Sequence, residues 1–149
     1  MNRTRPRRAA AGFTLVELLI AVGVAGVLSS VAYPSFSDQV HRARRSDALV
    51  ALVQVQAAQE RWRAGHRDYA DMATLGLPAV SPAGHYRLEV HAPGDDHYEV
   101  LAIATGAQAR DAACRHLRLV LDGANLRHAS GPDADTTNPP AANRRCWAS

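Results

Sequence analysis

The chain has 149 residues, with 17 basic and 14 acidic side chains and a net charge of +3. Every basic residue is an arginine, and four of them lie in the first twelve residues, which hold no acid; the other 137 residues carry 13 basic and 14 acidic side chains. This distribution excludes a polycation that coats nucleic acid along its whole length. The apolar fraction of 47% excludes wholesale disorder, and the length predicts one globular domain.

A long apolar run follows the basic end. Residues 18–37 are uncharged, and extending the run back to Phe13 adds one charge, Glu17. As a helix, the 24 residues from 13 to 36 would rise about 36 Å, enough for a hydrocarbon core of about 30 Å. We predict a membrane-spanning helix. A conventional cleaved secretory signal is the weaker alternative, because its apolar stretch is only roughly 7 to 15 residues long.

Glu17 is the exception within this run. Burying an ionised carboxylate alone in lipid costs several kcal/mol unless it is paired or protonated. We therefore treat Glu17 as a candidate functional residue.

The same segment carries a recognisable signal. A short basic leader ends at Gly12 and is followed by Phe13-Thr-Leu-Val-Glu17 and the apolar helix, which resembles the class III signal of type IV pilins and pseudopilins. The resemblance implies that a prepilin peptidase cleaves between Gly12 and Phe13 and methylates the new amino group of Phe13. It also implies that Glu17 pairs with the terminal amine of a neighbouring subunit and sets the stagger between subunits during assembly.

Charge alone defines the orientation only weakly. The four leader arginines face three arginines just beyond the other end of the run, Arg42, Arg44 and Arg45. The resemblance implies a cytoplasmic amino terminus and a periplasmic carboxy-terminal domain.

For the three arginines we favour a solvated face beside the membrane. Binding to lipid head groups and pairing with acids of a neighbouring subunit remain alternatives. DNA is the least favoured, because no aromatic platform accompanies these arginines.

Three residues mark weak points of the helix. Pro34 removes a helical hydrogen bond, and Gly23 and Gly26 either weaken the helix or permit close helix packing. The resemblance implies that this stretch can unwind on assembly. Beyond residue 36 an amphipathic pattern predicts that the helix continues to about Ala64 and ends at Gly65.

The remaining residues predict a small antiparallel sheet. Residues 65–85 form an irregular connection, and a hairpin pairs residues 86–91 with 98–104 across a turn. A third strand is predicted at 114–121 and a short fourth at 125–128, with the outer half of the helix covering one face. The fold class is α+β.

Cys114 and Cys146 are the only cysteines. In an exported domain they are expected to form a disulfide that holds down the tail beyond Ser130; two unpaired thiols are the alternative. A disulfide-closed carboxy-terminal loop again resembles the type IV pilins. The PilE-type minor pilins in particular are resembled by residues 32–36 and 44–48, Tyr69 and the terminal Cys-Trp.

We therefore divide the chain into four parts: a cleaved leader (1–12), a transmembrane and filament-core helix (13–36), an amphipathic continuation (37–64) and a periplasmic head (65–149). We expect no catalytic residue, cofactor or transition metal. His91 and His97 on the facing strands of the hairpin lack a ligand spacing. A calcium site that uses Asp122, Asp133 and Asp135 is retained as an alternative.

The expected function is that of a minor pilin, a structural subunit of a type IV pilus (fimbrium) that takes part in pilus assembly or initiation and hence in adhesion or twitching motility. Its expected partners are other pilins, prepilin peptidase, the inner-membrane assembly platform and, before assembly, membrane lipid; nucleic acid is not an expected partner. The alternatives are a filament-tip protein that binds a surface or DNA, and a pseudopilin of a type II secretion system.

Overall fold

A computed structural model describes residues 13–92 and 94–148, and the side chains of these residues except 31–35. The chain forms two compact units that divide between Ser37 and Asp38. The described part of the first unit belongs to the start of helix α1. In the second unit, which begins at Asp38 and which we call the head from here on, a helix covers an antiparallel sheet.

Helix α1 runs from Leu15 to Arg63 and has 49 residues. Its first turn is capped by Thr14, whose hydroxyl accepts a hydrogen bond from the Glu17 amide at 3.2 Å. The acidic Glu17 in the first turn and the basic Arg61 and Arg63 in the last turn suit the helix dipole. The predicted helix over 13–64 is confirmed, and it continues through Gly23, Gly26 and Pro34.

The sheet has four antiparallel strands in sequence order. They are β1 (Tyr86–His91), β2 (His97–Ala104), β3 (His116–Asp122) and β4 (Asn125–Gly131). In β2 every second side chain is buried, as the alternating sequence predicts. The predicted hairpin and the number of strands are confirmed.

Two boundaries differ from the sequence prediction. Cys114 does not begin β3, because it ends a short 3₁₀ helix, Ala112–Cys114, that follows another at Gly106–Arg110. Strand β4 continues three residues beyond His128, because its pairing with β3 extends to His116 opposite Gly131.

The outer half of α1, which we define as residues 38–63, contributes the helix side of the core. Its buried residues Ala48, Ala51, Leu52 and Val55 belong to one apolar cluster with the inner face of the sheet. The sheet side consists mainly of large side chains: Tyr86, Leu88, Tyr98, Val100, Leu117 and Leu119. Burial of apolar area, at roughly 25 cal/mol per Å², therefore fixes this half of the helix to the sheet.

The tail forms a second helix that the sequence did not predict. Helix α2 runs from Pro140 to Trp147, and Pro140 occupies a first-turn position where a missing amide hydrogen is tolerated. Before it, the chain folds back on β4 so closely that a Cβ on Gly131 would lie 2.7 Å from the Thr136 Cα. Only glycine fits at that position.

Candidate functional site

The amino-terminal segment displays its apolar side chains. Phe13 is 85% exposed, and the large apolar residues of 15–28 are all more than half exposed. Glu17 is exposed among them. Among the described residues, no helix combines the length and the apolarity of a membrane span. An apolar surface of this extent marks a site for association with a protein or a membrane.

An ion pair joins α1 to the 3₁₀ segment of the head. The Arg45 Nε donates to the Asp111 Oδ2 at 2.6 Å, and its Nη2 donates to Oδ1 at 3.0 Å. Both side chains are nearly buried, with 12% and 9% of their surface exposed. This bidentate geometry orients the guanidinium and the carboxylate, and removing either partner would leave an uncompensated charge.

Gln108 lies at the centre of the same network. Its side-chain amide nitrogen is 3.0 Å from the Tyr86 hydroxyl and 3.2 Å from the Asp111 Oδ2, and its oxygen is 3.1 Å from His41 Nδ1. Gln108 is fully buried, so these contacts satisfy polar atoms that water does not reach. The network connects the helix, β1 and the 3₁₀ segment.

A second buried acid fixes the connection between α1 and β1. The Asp47 carboxylate accepts hydrogen bonds from the Ser81 hydroxyl at 2.5 Å and from the Ala83 and His85 amides at 2.8 and 3.2 Å. Further along, Gln59 exchanges two hydrogen bonds with the Ala70 backbone, at 2.6 and 3.0 Å. The connection predicted as irregular is therefore held by specific side chains of the helix.

The disulfide joins Cys114 to Cys146, with their Cα atoms 5.3 Å apart. It attaches α2 to the 3₁₀ turn before β3, and we call the disulfide together with α2 the C-terminal closure. Asn143 of α2 donates to the His128 carbonyl at 2.9 Å and accepts from the Ser130 hydroxyl at 2.8 Å. The predicted disulfide is confirmed, and the tail beyond Ser130 is held by it and by side-chain amides.

An aromatic contact completes this closure. The Trp147 ring lies 4.4 Å from the His128 ring, centroid to centroid, and the indole nitrogen donates to the Ala129 carbonyl at 3.2 Å. Burial lowers the pKa of His128 and also that of His116. Both imidazoles are therefore more fully neutral in the fold than in water at the same pH.

Two core tyrosines have strongly shifted pKa values. Burial raises the pKa of Tyr86 to about 12, partly offset by its hydrogen bond to Gln108, and burial raises that of Tyr98 to about 12. The Tyr98 hydroxyl has no hydrogen-bond partner among the residues that the structure describes. The two phenols are equally buried and differ in this contact.

A cationic cleft lies between the outer half of α1 and the C-terminal closure. It has a volume of about 300 Å³, and its charged lining residues are Asp38, Arg42, Arg45 and Arg145. Arg45 is already paired with Asp111, and its Nη1 donates to the Arg145 carbonyl at 2.9 Å. The other two arginines that line the cleft, Arg42 and Arg145, are what distinguishes it.

Comparison with known proteins identifies the family. A sequence model described as "Type IV minor pilin ComP, DNA uptake sequence receptor" matches residues 34–118, and a model of the prokaryotic N-terminal methylation motif matches residues 7–33. The chain belongs to the type IV minor pilin family. The long helix, the antiparallel sheet and the disulfide agree with the type IV pilin fold.

Curated relatives of this pilin include major pilins. The type IV major pilin PilE1 of Neisseria gonorrhoeae is 32% identical over 82 residues, covering 53% of this chain and 50% of that protein. The major pilin PilA of Myxococcus xanthus is 34% identical over 96 residues, covering 64% of this chain and 43% of that protein. The prepilin peptidase-dependent protein D of Escherichia coli is 30% identical, covering 46% and 48%. The chain spans at most about half the length of these relatives.

The predicted processing and assembly residues lie along the helix segment. Gly12 lies outside the described residues, and Phe13 precedes the first helical residue by two. The roles of these two residues and of Glu17, and the weakness of the helix at Gly23, Gly26 and Pro34, stay predictions for the pilin.

The candidate metal ligands are not brought together. The strand register pairs His91 with Glu99 and His97 with Asp122, so the two histidines are not cross-strand partners. The Asp122 carboxylate accepts from Arg127 instead. In the described part of the chain, no group of three or more His, Cys, Asp or Glu residues is placed to hold a metal ion.

Sequence reasoning missed the buried polar residues of the pilin head. Asp47, Gln59, Gln108 and Asp111 are all buried. One signal was available for Asp47, since it occupies the helix face that also carries Ala48, Ala51 and Val55. Gln108 and Asp111 gave no signal, because they follow a strand in a segment without periodicity.

Proposed function

We propose that this pilin is a minor structural subunit of a type IV pilus that takes part in pilus assembly or initiation, and hence in adhesion or twitching motility. Three features of the same chain support this proposal together. They are a methylation motif over residues 7–33, an exposed apolar start of the helix, and a separately folded head closed by a disulfide. The exposed apolar side chains at the start of the helix provide a surface for association. No catalytic step is part of the proposal.

In this proposal prepilin peptidase cleaves after Gly12 and methylates Phe13. The test is mass spectrometry of sheared surface filaments from cells that express the full chain. We expect a peptide that begins with N-methylated Phe13. A Gly12→Val variant should retain its leader and be absent from filaments, whereas the leader control Ala10→Val should be processed normally. Filaments that contain the uncleaved chain would contradict the proposal.

Before assembly, the pilin is proposed to cross the inner membrane once, with its head in the periplasm and its apolar helix in lipid. The length of the run supports this, and so does the disulfide, because the periplasm is oxidising. Protease added to spheroplasts should degrade the head while leaving a cytoplasmic marker intact. Protection of the head would overturn the orientation.

Glu17 is proposed to pair with the terminal amine of a neighbouring pilin at the assembly platform. A Glu17→Ala variant should remain in the membrane fraction and lose most of its incorporation into filaments. The matched control is Glu60→Ala, since Glu60 is an exposed acid on the outer half of the same helix. Equal incorporation of both variants would contradict this role.

The weak-point proposal for the helix is tested separately. If the stretch that contains Gly23, Gly26 and Pro34 unwinds on assembly, then a variant with both glycines changed to alanine should assemble poorly although its helix is more stable. Pro34→Ala should act in the same direction. Unchanged filament yield for these variants would indicate that the glycines serve helix packing instead.

A second candidate function is DNA binding at the filament. It is supported by the description of the matching family as a DNA uptake sequence receptor. Deleting the gene distinguishes the roles: loss of filaments indicates assembly, whereas intact filaments with lost DNA uptake or adhesion indicate a tip receptor. Lost secretion of folded enzymes with intact pili would indicate the pseudopilin alternative.

A further inference from the structure

The cationic cleft beside the disulfide has unbalanced charge. Arg45 is neutralised by Asp111, but among the described residues neither Arg42 nor Arg145 has an acidic oxygen within 4.0 Å. Asp38, the remaining charged lining residue, takes part in none of the ion pairs among the described residues. The residues that line the cleft therefore include two exposed arginines without an acidic partner among the described residues, and one aspartate.

The size and chemistry of the cleft suit a phosphate group. Guanidinium groups bind phosphate oxygens through paired hydrogen bonds, and two of them around one cavity can hold one anion. A volume of about 300 Å³ is large enough for a phosphate ester. The third arginine, already paired, fixes the wall of the cleft through its hydrogen bond to the Arg145 carbonyl.

The position of Arg42 in the sequence points to the source of this phosphate. Arg42 follows Phe36, the last residue of the apolar run, by six residues, or about two turns of helix. Basic residues this close to a membrane anchor lie within reach of the phosphates of anionic lipid head groups.

We propose that Arg42 and Arg145 together bind the phosphate of an anionic phospholipid head group at the periplasmic face of the membrane before the pilin is assembled. This inference rests on the proposed membrane anchoring. It gives the C-terminal closure a second role, because the bond from Cys146 to Cys114 holds the adjacent Arg145 at the cleft. Duplex DNA is the less suited ligand, because the cleft is confined and its arginines do not form an open row.

The test measures lipid binding to the purified full chain in maltoside micelles by native mass spectrometry. The probe lipids are dioleoylphosphatidylglycerol and, as the zwitterionic comparison, dioleoylphosphatidylcholine. Arg42→Gln and Arg145→Gln should each weaken binding of the anionic lipid about tenfold, as expected for a lost charge-assisted hydrogen bond. The loss in the double variant should be smaller than the product of the two single losses, because two arginines that bind the same phosphate are energetically coupled.

Neighbouring arginines provide controls with the same change in charge. Arg44 and Arg144 are adjacent in sequence to the cleft residues and are not among its lining residues. Arg44→Gln and Arg144→Gln should weaken binding less than about twofold, because only general attraction is lost. Each variant is first checked for an unchanged melting temperature.

Several outcomes would overturn the proposal. Equal losses in all four single variants would indicate unspecific attraction, and no loss in any would remove the site. Competition by inorganic phosphate at the concentration of the lipid would indicate a free-anion site. Loss of duplex DNA binding with retained lipid binding would assign the cleft to nucleic acid. Failure of the anchoring proposal is seen separately, as absence of the chain from the membrane fraction.

Discussion

The two units of this pilin handle apolar residues in opposite ways. The large apolar side chains of residues 13–28 are exposed, whereas in the head the outer half of α1 buries its apolar face against the sheet. The first unit therefore offers an apolar surface for association, and the head is stabilised by its own core and closure. Changes in the head should alter its unfolding, and changes in the first unit should alter association.

The largest expected effect on the head is removal of the disulfide. Changing both Cys114 and Cys146 to serine should lower the free energy of unfolding by roughly 3.5 to 4 kcal/mol, because the unfolded chain loses a closed loop of 33 residues. Urea denaturation of the full chain in detergent, followed by near-UV circular dichroism, measures this. The reduced wild-type protein is the control. A loss below about 1 kcal/mol would show that the side-chain amides suffice to hold α2.

The buried ion pair should have the next largest effect. Asp111→Ala should destabilise the head by about 3 kcal/mol, because Arg45 keeps its charge in a nearly buried site. Asp122→Ala, which removes the exposed pair with Arg127, should cost less than about 1 kcal/mol. A double variant, Arg45→Met with Asp111→Leu, should recover part of the loss in the same urea experiment. Equal losses for the buried and exposed pairs would contradict the prediction.

Alkaline pH should weaken the head through its tyrosines. The pKa values of Tyr86 and Tyr98 are both raised to about 12 in the fold, so their contribution is complete below pH 10 and lost as the pH rises towards 12. Between pH 10 and 11 we expect a loss of about 1 kcal/mol for each tyrosine. Melting curves at the two pH values measure it, and Tyr98→Phe should show about half the wild-type change. A change equal to that of wild type would exclude Tyr98 as a contributor.

The smallest expected effect distinguishes the two phenols at neutral pH. Tyr86→Phe should cost about 1 kcal/mol, because the hydrogen bond with Gln108 is lost. Tyr98→Phe should leave the stability unchanged or raise it, because its hydroxyl has no partner among the described residues. Thermal melting at pH 7 compares the matched pair. Equal destabilisation would indicate that Tyr98 makes a polar contact of similar strength.

Local patterns were sufficient for the helix and the hairpin. The apolar run and the amphipathic pattern after it placed α1 to within two residues at each end, and alternation in β1 and β2 reflects one buried face. The export signal together with the two cysteines predicted the disulfide. The helix and the hairpin depend on residues that are close in sequence. The disulfide was predictable because the chain has no third cysteine that could form a different pair.

Helix α2 was not predictable in this way. Its eight residues, PAANRRCW, contain only one large apolar side chain, Trp147, and an isolated helix of this length is marginal in water. It is held by Cys146, Asn143 and Trp147, whose partners lie 13 to 32 residues earlier in the chain. Strand β4 was predicted too short for a related reason, because its last residues are set by the register with β3.

The sequence by itself determined the family signal, the long helix and the hairpin, because these follow from a local motif and from local periodicity, and it predicted the disulfide because the chain has only two cysteines. The tertiary structure alone decided which polar residues of the head become buried partners, and that Arg42 and Arg145, more than 100 residues apart, share one cleft. The physical reason is that such contacts join distant parts of the chain, and their stability comes from satisfying charges and hydrogen bonds that exist only once the core has closed.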